Sequence, residues 1–267
     1  MSIASKYPGA ALITGASVGI GACFAQRLAA DKMDLVLVAR SEDKLEALAG
    51  KLRQQHGIKA VVAPQDLSAP DAAARVKEAV DASGLEVSLL INNAGFGSWG
   101  KFQELPLEEE LRMVELNCRT PVAMTGLFLP AMLERRNGAL IFLGSSASFQ
   151  PCPFFATYGA TKAFNLMYGE ALWHELKGTG VDCTVICPGY TKTEFQPRAG
   201  INMAPPMGLW ATPEAVVDTC FRSLGRRPSV VHAWYNAVGA LAPRFFPRGM
   251  TAALAGNMMD PAKHRKS

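Results

Sequence analysis

The stretch Ala10-Ala11-Leu12-Ile13-Thr14-Gly15-Ala16-Ser17-Val18-Gly19-Ile20-Gly21 decides how this chain is wound. A short apolar strand runs into a glycine-rich turn, and a helical pattern begins at Gly19. Glycines let the backbone turn sharply and leave no side chain in the way of a pyrophosphate. The helix N-terminus that follows offers free N–H groups and a partial positive charge to phosphates. A plain turn has a similar composition, but the strand before it and the helix after it favour nucleotide binding through Gly15, Ser17, Gly19, Ile20 and Gly21.

Outward from this turn, apolar β-rich runs alternate with amphipathic ones. Strands are expected at 10–14, 34–38, 58–63, 87–91, 139–143, 181–186 and 230–232. Helices are expected at 19–32, 42–55, 70–83, 107–135, 156–177 and 213–224. Strands apolar on both faces and joined by helices imply a parallel sheet covered on both sides. The expected fold is α/β, a Rossmann-type doubly wound parallel sheet of about seven strands. Ligands of such sheets bind beyond the carboxyl ends of the strands, where the winding reverses. The unusual residues gather there: the glycine turn after strand one, Arg40 at the end of strand two, Asp66 after strand three, Asn92–Gly95 after strand four, Ser145 after strand five and Pro188–Thr193 after strand six. No linker or internal repeat divides the chain. Residues 1–232 are expected to form the dinucleotide-binding body, and 233–267 a helical extension of the same domain.

Composition sets the outer bounds. The 267 residues are 49% hydrophobic and 19% charged, which describes a globular chain with a large core. There is no long apolar run and no basic-then-apolar leader, so a cytoplasmic protein is expected. Cys23, Cys118, Cys152, Cys183, Cys187 and Cys220 form no Cys-x-x-Cys pair, and free thiols in a reducing compartment are the better reading. The four histidines have no metal-ligand spacing, so no metal is expected. A net charge of +4 is too mild to argue for nucleic acid. From Gly225 onward, however, seven Lys/Arg face only Asp260, so this tail carries +6 and the first 224 residues −2.

Tyr158-Gly159-Ala160-Thr161-Lys162 supplies candidate chemistry. Tyr and Lys four apart share a helix face, where an ammonium can lower a phenol's pKa and make it a proton donor or acceptor. Ser145, arriving from a separate strand, can bond the same substrate oxygen. The spacing suits carbonyl reduction or alcohol oxidation. At the end of strand two, Val38-Ala39-Arg40-Ser41 has Ala39 where an acid would accept bonds from a ribose 2′-hydroxyl. Arg40 can instead pair with a 2′-phosphate, so NADP is preferred over NAD; the alternative is that Arg40 is an ordinary solvated loop residue.

Together, these features resemble the short-chain dehydrogenase/reductase family of single-domain type. The resemblance runs from about residue 9 to 195 through Thr14-Gly-x-x-x-Gly-x-Gly21, Asp66-Leu67, Asn92-Asn93-Ala94-Gly95, Asn117, Ser145, Tyr158-x-x-x-Lys162 and Pro188-Gly189. Phe149-Gln150-Pro151 and the tyrosine segment look most like an NADP-dependent bacterial branch. The resemblance implies Tyr158 as the proton donor or acceptor. It implies Lys162 as the group that lowers the Tyr158 pKa and holds the nicotinamide ribose, and Ser145 as the residue that orients the substrate oxygen. Asn117 would hold a water that relays protons to Lys162; without the family, a buried residue bonding the backbone is the simpler reading. Asp66 would contact the adenine with Leu67 beside it, and Asn93, Ala94 and Gly95 would line the adenosine side. Asn92 would tie strands together. Pro188, Gly189, Thr191 and Thr193 would approach the nicotinamide carboxamide. Thirteen residues to the tyrosine select Ser145 over the adjacent Ser146.

Substrate choice lies in loops that are apolar here: Phe96, Trp99, Phe149, Pro151, Phe154, Phe155, Phe195, Met203 and Trp210. They point to a small-molecule hydrophobic ketone, aldehyde or acyl substrate. Residues 197–212 have the composition of a lid. The apolar segment 234–259 is a candidate for self-association, as a homodimer or homotetramer, or for covering the substrate; both rank ahead of contact with anionic lipid. A cofactor-binding sensor without turnover is the alternative from another class. An epimerase or dehydratase would need a larger C-terminal domain. If Arg40 holds a 2′-phosphate, Arg40→Ala raises the Michaelis constant for NADPH; an unchanged value refutes that assignment.

Overall fold

The computed structural model describes residues 2–201 and 208–264. A single turn of helix, α1 (Ile3–Lys6), precedes the first strand; Ser2 caps it by accepting from the Ser5 N–H. The strands are β1 (Ala10–Thr14), β2 (Asp34–Ala39), β3 (Ala60–Pro64), β4 (Val87–Asn92), β5 (Gly138–Leu143), β6 (Val181–Cys187) and β7 (Ser229–Val231). They form one seven-stranded sheet in the order β3-β2-β1-β4-β5-β6-β7, and each neighbouring pair is parallel. The winding reverses between β1 and β4, so a crevice opens beyond the carboxyl ends of those two strands.

Alternation along each strand feeds two cores. Ala11 and Ile13 of β1 face α2 (Gly19–Ala30), α3 (Glu42–His56) and α9 (Pro213–Ser223), packing with Phe24, Leu28, Leu45 and Val216. Leu12 faces α4 (Ala72–Ser83), α6 (Thr120–Arg135) and α7 (Ala156–Glu175), packing with Val76, Met124, Phe128 and Leu166. Every residue of β1, β4 and β5 is buried. This double coverage is why these strands read as continuous apolar runs.

Besides shifts of one or two residues at other element ends, three differences from the sequence reading stand out. First, β3 starts two residues later than expected: the Asp34 carboxylate accepts from the Lys59 N–H at 2.8 Å, and Ile58 packs as an apolar residue outside the ladder. Second, β7 is Ser229–Val231, although the His232 N–H still reaches the Cys187 carbonyl at 3.0 Å. Third, the expected helix 107–135 is two helices, α5 (Leu107–Val114) and α6, joined by a π-turn at Glu115–Arg119. There the Thr120 N–H reaches back five residues to Glu115. Pro121 explains the widening: it has no N–H for the Asn117 carbonyl, and its ring would crowd that carbonyl in a regular turn. The Thr120 hydroxyl also donates to the Leu67 carbonyl at 2.6 Å, which anchors the irregular turn to the loop after β3.

Beyond the cores, α8 (Phe195–Arg198) follows β6, and α10 (Trp234–Leu241) and α11 (Arg248–Met259) follow β7. The expected lid 197–212 lies partly outside the described residues, as does Met203. Among the described residues, no helix is long and apolar enough to cross a membrane. No cluster of His, Cys, Asp and Glu among them could hold a metal ion, and all six cysteines are free thiols.

Candidate active site

A cleft of about 840 Å³ lies over the crevice, at the upper end of the size of small-molecule sites. At its floor the glycine turn is held by close packing. Gly15 and Gly19 have φ of +67° and +59°, values that side-chain-bearing residues rarely adopt. A Cβ on Gly21 would lie 2.6 Å from Asn93 Nδ2 and closer still to the Gly15 carbonyl. Only glycine lets α2 start this near the turn. A Cβ on Gly19 would sit 3.1 Å from the Thr193 methyl, so the loop after β6 faces the turn directly.

Around this floor the cleft is lined by Gly15, Ser17, Gly19 and Ile20, then Arg40, Ser41, Asp66 and Leu67, then Asn93, Ala94 and Gly95, then Ser145, Tyr158 and Lys162, and then Pro188, Gly189, Thr191 and Thr193. Gly21 stands behind them as a packing residue, and Asn117 is fully buried behind Gly95. Arg40 is exposed at the rim. Burial alone would raise the Asp66 pKa, but two hydrogen bonds from Ser68 and the guanidinium groups of Arg112 and Arg40 outweigh it and hold the carboxyl below its usual value. Arg40 and Asp66 thus share one rim.

The two adjacent asparagines divide their work differently from expectation. Asn93 ties the strand ends: its amide donates to the Thr14 carbonyl at 2.8 Å and the Gly15 carbonyl at 3.2 Å, and its N–H reaches the Thr14 hydroxyl at 2.9 Å. Asn92 is 4% exposed, and neither polar atom of its side chain has a partner among the described residues. Sequence adjacency gave no signal of this division.

Deeper in the cleft, Lys162 is buried and its ammonium donates to the Leu143 carbonyl at 2.7 Å. Its Nζ is 5.8 Å from the centre of the Tyr158 ring. Burial pulls the Lys162 pKa down to about 8, against weaker upward effects of Cys118 and Cys187. Burial also pushes the Tyr158 phenol above its ordinary value; Ser145 opposes this through a hydrogen bond to the phenol, and Cys152 and Cys187 add to it. Burial therefore sets the direction of the Tyr158 shift in the ligand-free cleft. Phe155 stacks on the phenol ring at 4.2 Å between centroids, and Phe195 lies at 5.2 Å. This apolar casing buries the phenol, and burial is the leading cause of both shifts.

Ser145 is fixed by a reciprocal cap. Its Oγ accepts from the Ala147 N–H at 3.1 Å, and its own N–H donates to Ser148 Oγ at 3.0 Å. Ser148 in turn donates to the Lys162 carbonyl at 2.8 Å, locking the serine loop to α7. Ser146 bonds the Pro188 carbonyl through its N–H. Asn117 uses its side chain on the Phe96 backbone, at 3.2 and 3.0 Å, and on Thr161 Oγ1 at 3.0 Å. Its carbonyl is the one that Pro121 leaves without the usual helical donor. A Cβ on Gly95 would lie 3.0 Å from Asn117 Oδ1 and 3.4 Å from Lys162 Nζ, so glycine there keeps open the gap between the two.

The remaining wall comes from residues that the sequence named, if at all, only within longer segments. Tyr235, Asn236, Ala255, Met258, Met259 and His264 of the C-terminal segment line the cleft, as do Gln150, Tyr190 and Arg198. Trp99 Nε1 donates to the Met259 carbonyl at 2.9 Å, pinning α11 to the loop after β4. Met113, Cys152, Phe155, Tyr158, Ala199 and Ile201 form a third apolar cluster, with Phe96, Trp99, Phe195 and Met259 against it. Of the other expected apolar residues, Phe149 instead packs against the second core.

A doubly wound parallel sheet with a glycine turn at the switch point, and Ser, Tyr and Lys at the floor of one cleft, defines the architecture of a nucleotide-dependent oxidoreductase. The family model for short chain dehydrogenase matches residues 9–203, and the chain belongs to that family. It is 35% identical over 239 residues to a 7beta-hydroxysteroid dehydrogenase of Collinsella aerofaciens, covering 88% of this chain and 90% of the relative. A solved structure from work on 7beta-hydroxysteroid dehydrogenase stereoselectivity superposes with a TM-score of 0.88 at 32% identity, covering 96% of this chain and all of that one. A short-chain dehydrogenase of Sphingobium yanoikuyae in complex with NADPH superposes with a TM-score of 0.77 at 32% identity, covering 97% and 98%. The protein is a hydride-transfer oxidoreductase of this family.

The lowered pKa of Lys162 has a measurable sign. Below about pH 8 the side chain is protonated, and above it is neutral in the ligand-free protein. In a spectrum of ¹³C-labelled lysines, one resonance should titrate near pH 8 and vanish in Lys162→Met. If all the lysines titrate together, the buried site described here is wrong.

Proposed function

We propose that the protein transfers hydride between NADP(H) and a bulky, hydrophobic carbonyl or alcohol. The observation that carries this reading is the convergence of Ser145, Tyr158 and Lys162 beneath an apolar wall, in the cleft that also holds the glycine turn and Arg40. The residues fit a dinucleotide. The turn is cleared by Gly15, Gly19 and Gly21 for pyrophosphate, Arg40 stands at the rim where a 2′-phosphate would lie, and Asp66 and Leu67 border the adenine side. Two relatives point the same way: one is an NADPH complex, and another is named for a hydroxysteroid.

When bound, NADPH supplies the hydride; the protein supplies position and the proton. Ser145, its backbone fixed by the cap, donates to the carbonyl oxygen and polarises it. Tyr158 delivers its hydroxyl proton to that oxygen as negative charge develops, and the reverse transfer serves oxidation. In the ligand-free cleft the phenol holds its proton firmly, which suits an acid waiting for a basic oxygen. The Lys162 ammonium stabilises the phenolate left behind and binds the nicotinamide ribose. Reprotonation passes by way of Lys162 and a water at the Asn117 carbonyl. The aromatic casing excludes bulk water, which strengthens each of these interactions. Pro188, Gly189, Thr191 and Thr193 hold the carboxamide end. Phe96, Trp99, Phe195 and Met259 accept the apolar body of the substrate, for which a steroid-sized ketone is the chemical class.

The C-terminal segment covers the substrate with one face and leaves the other free. Trp234 and Phe245 are each 75% exposed, and Val238 60%. Patches of this kind mark interfaces, and a second copy of the chain in the cytoplasm is the proposed cover. Phe245→Glu should halve the mass seen by light scattering. A mass that stays at one chain in the unaltered protein, together with sedimentation on anionic vesicles, would assign the face to lipid instead.

Activity tests the main reading. With a panel of steroid-sized ketones, NADPH consumption should fall about 10²-fold or more in Ser145→Ala and change little in Ser146→Ala. The reverse pattern contradicts the serine assignment. An unaltered protein that binds NADPH but turns over no carbonyl favours a cofactor-binding sensor.

A further inference from the structure

The match to the family model ends at residue 203, yet one side chain far beyond it sits on the cofactor loop. Gly189 follows β6, and its missing side chain points at Asn236 of α10. A Cβ on Gly189 would meet three atoms of Asn236, with Oδ1 only 2.5 Å away. Asn236 Nδ2 donates to the His232 carbonyl at 2.9 Å, which fixes the amide over the glycine. Both residues line the cleft.

The chain goes to some trouble to put Asn236 there. The His232 N–H pairs with the Cys187 carbonyl, so the segment is still aligned with β6 at that point. The next residue, Ala233, takes φ +68° and ψ +140°, a conformation costly for any residue with a side chain. That twist throws α10 across the strand ends, where it packs against the Ser146–Phe149 turn. At its other end the extension is pinned through Met259 to Trp99. The extension therefore touches the loops on both sides of Tyr158, and Asn236 is its contact with the nicotinamide side.

We propose that Asn236 is a positioning residue, which holds the Pro188–Thr193 loop through contact with Gly189 and so couples the C-terminal extension to the nicotinamide end of the cofactor site. The proposal rests on the reading of the cleft as a dinucleotide site. It assigns the extension a part in hydride geometry in addition to its part in covering the substrate. Asn236 touches neither the substrate oxygen nor the proton path; it acts through the loop.

The test exploits the fit of the two residues. NADPH and NADH binding are measured by nucleotide fluorescence, and turnover with whichever steroid-sized ketone the panel identifies. Gly189→Ala alone drives a methyl group into Asn236 and should weaken coenzyme binding about tenfold. Gly189→Ala combined with Asn236→Gly restores the room, and affinity should return to within about threefold of the unaltered protein. Asn236→Ala should lower kcat about tenfold and leave the ketone KM within about twofold, because a loosened loop spoils alignment more than binding. A double variant no better than Gly189→Ala overturns the proposal, as does an Asn236→Ala variant with unaltered kcat. If the unaltered protein binds neither NADPH nor NADH, the dinucleotide reading itself fails and the proposal with it. Binding by the unaltered protein with no rescue sinks the proposal alone.

Discussion

The site depends on one buried hydrogen bond, from the Lys162 ammonium to the Leu143 carbonyl at 2.7 Å. An ammonium in an apolar interior is costly unless paired, and here its partner is the last backbone group of β5. The bond ties the middle of α7 to the carboxyl edge of the sheet. Its position on α7 places Tyr158 one turn earlier, over the same edge. Ser148, bonded to the Lys162 carbonyl, draws the Ser145 loop to the same point. Ser145 on the loop after β5 and Tyr158 and Lys162 on α7 are thus fixed relative to one another by a single anchored lysine. The cost of burying the charge appears as the downward shift of Lys162, which leaves it poised to exchange a proton near neutral pH.

The second constraint is steric. Gly15, Gly19, Gly21, Gly95 and Gly189 lie where the backbone of one element meets the side chains or backbone of another. Around the cofactor end they clear a floor for phosphate; Gly95 preserves the gap between Asn117 and Lys162. The cleft is shaped as much by missing side chains as by those present, while the aromatic residues and the C-terminal segment build its opposite wall. A polar floor suited to a nucleotide and an apolar wall suited to a hydrophobic substrate fit the proposed reaction, in which the carbonyl carbon receives a hydride while its oxygen receives a proton.

Much of this was legible in the sequence because the sheet is covered twice. Strands apolar on both faces, broken by helices of regular period, identify the doubly wound fold from composition alone, and the glycine turn marks its switch point. Tyr158 and Lys162 were found by spacing, since a four-residue step on a helix fixes a shared face, and the family resemblance singled out Ser145 over Ser146. What escaped were features set by contacts between distant segments. The π-turn at Glu115–Arg119 alters the period by one residue, too little to disturb an apolar pattern; Pro121 was its visible cause. Asn92 and Asn93 are chemically identical, and only the packing of β1 against β4 decides that Asn93 ties the strands. The pKa of Tyr158 was expected to be lowered by its lysine, but burial dominates in a casing that the sequence showed only as scattered aromatic residues. Asn236 carries no motif, and its place over Gly189 follows from the unusual backbone at Ala233.

The central claim is that this cleft passes a hydride to a carbonyl carbon while Tyr158 supplies the proton. The direct measurement is a single turnover with NADPH carrying deuterium at its transferable position and a steroid-sized ketone, followed by mass spectrometry and NMR of the alcohol. The account predicts deuterium on the carbinol carbon, with the transfer strongly slowed in Tyr158→Phe. Tight NADPH binding with no deuterium delivered to any ketone, or transfer unaffected in Tyr158→Phe, would contradict it.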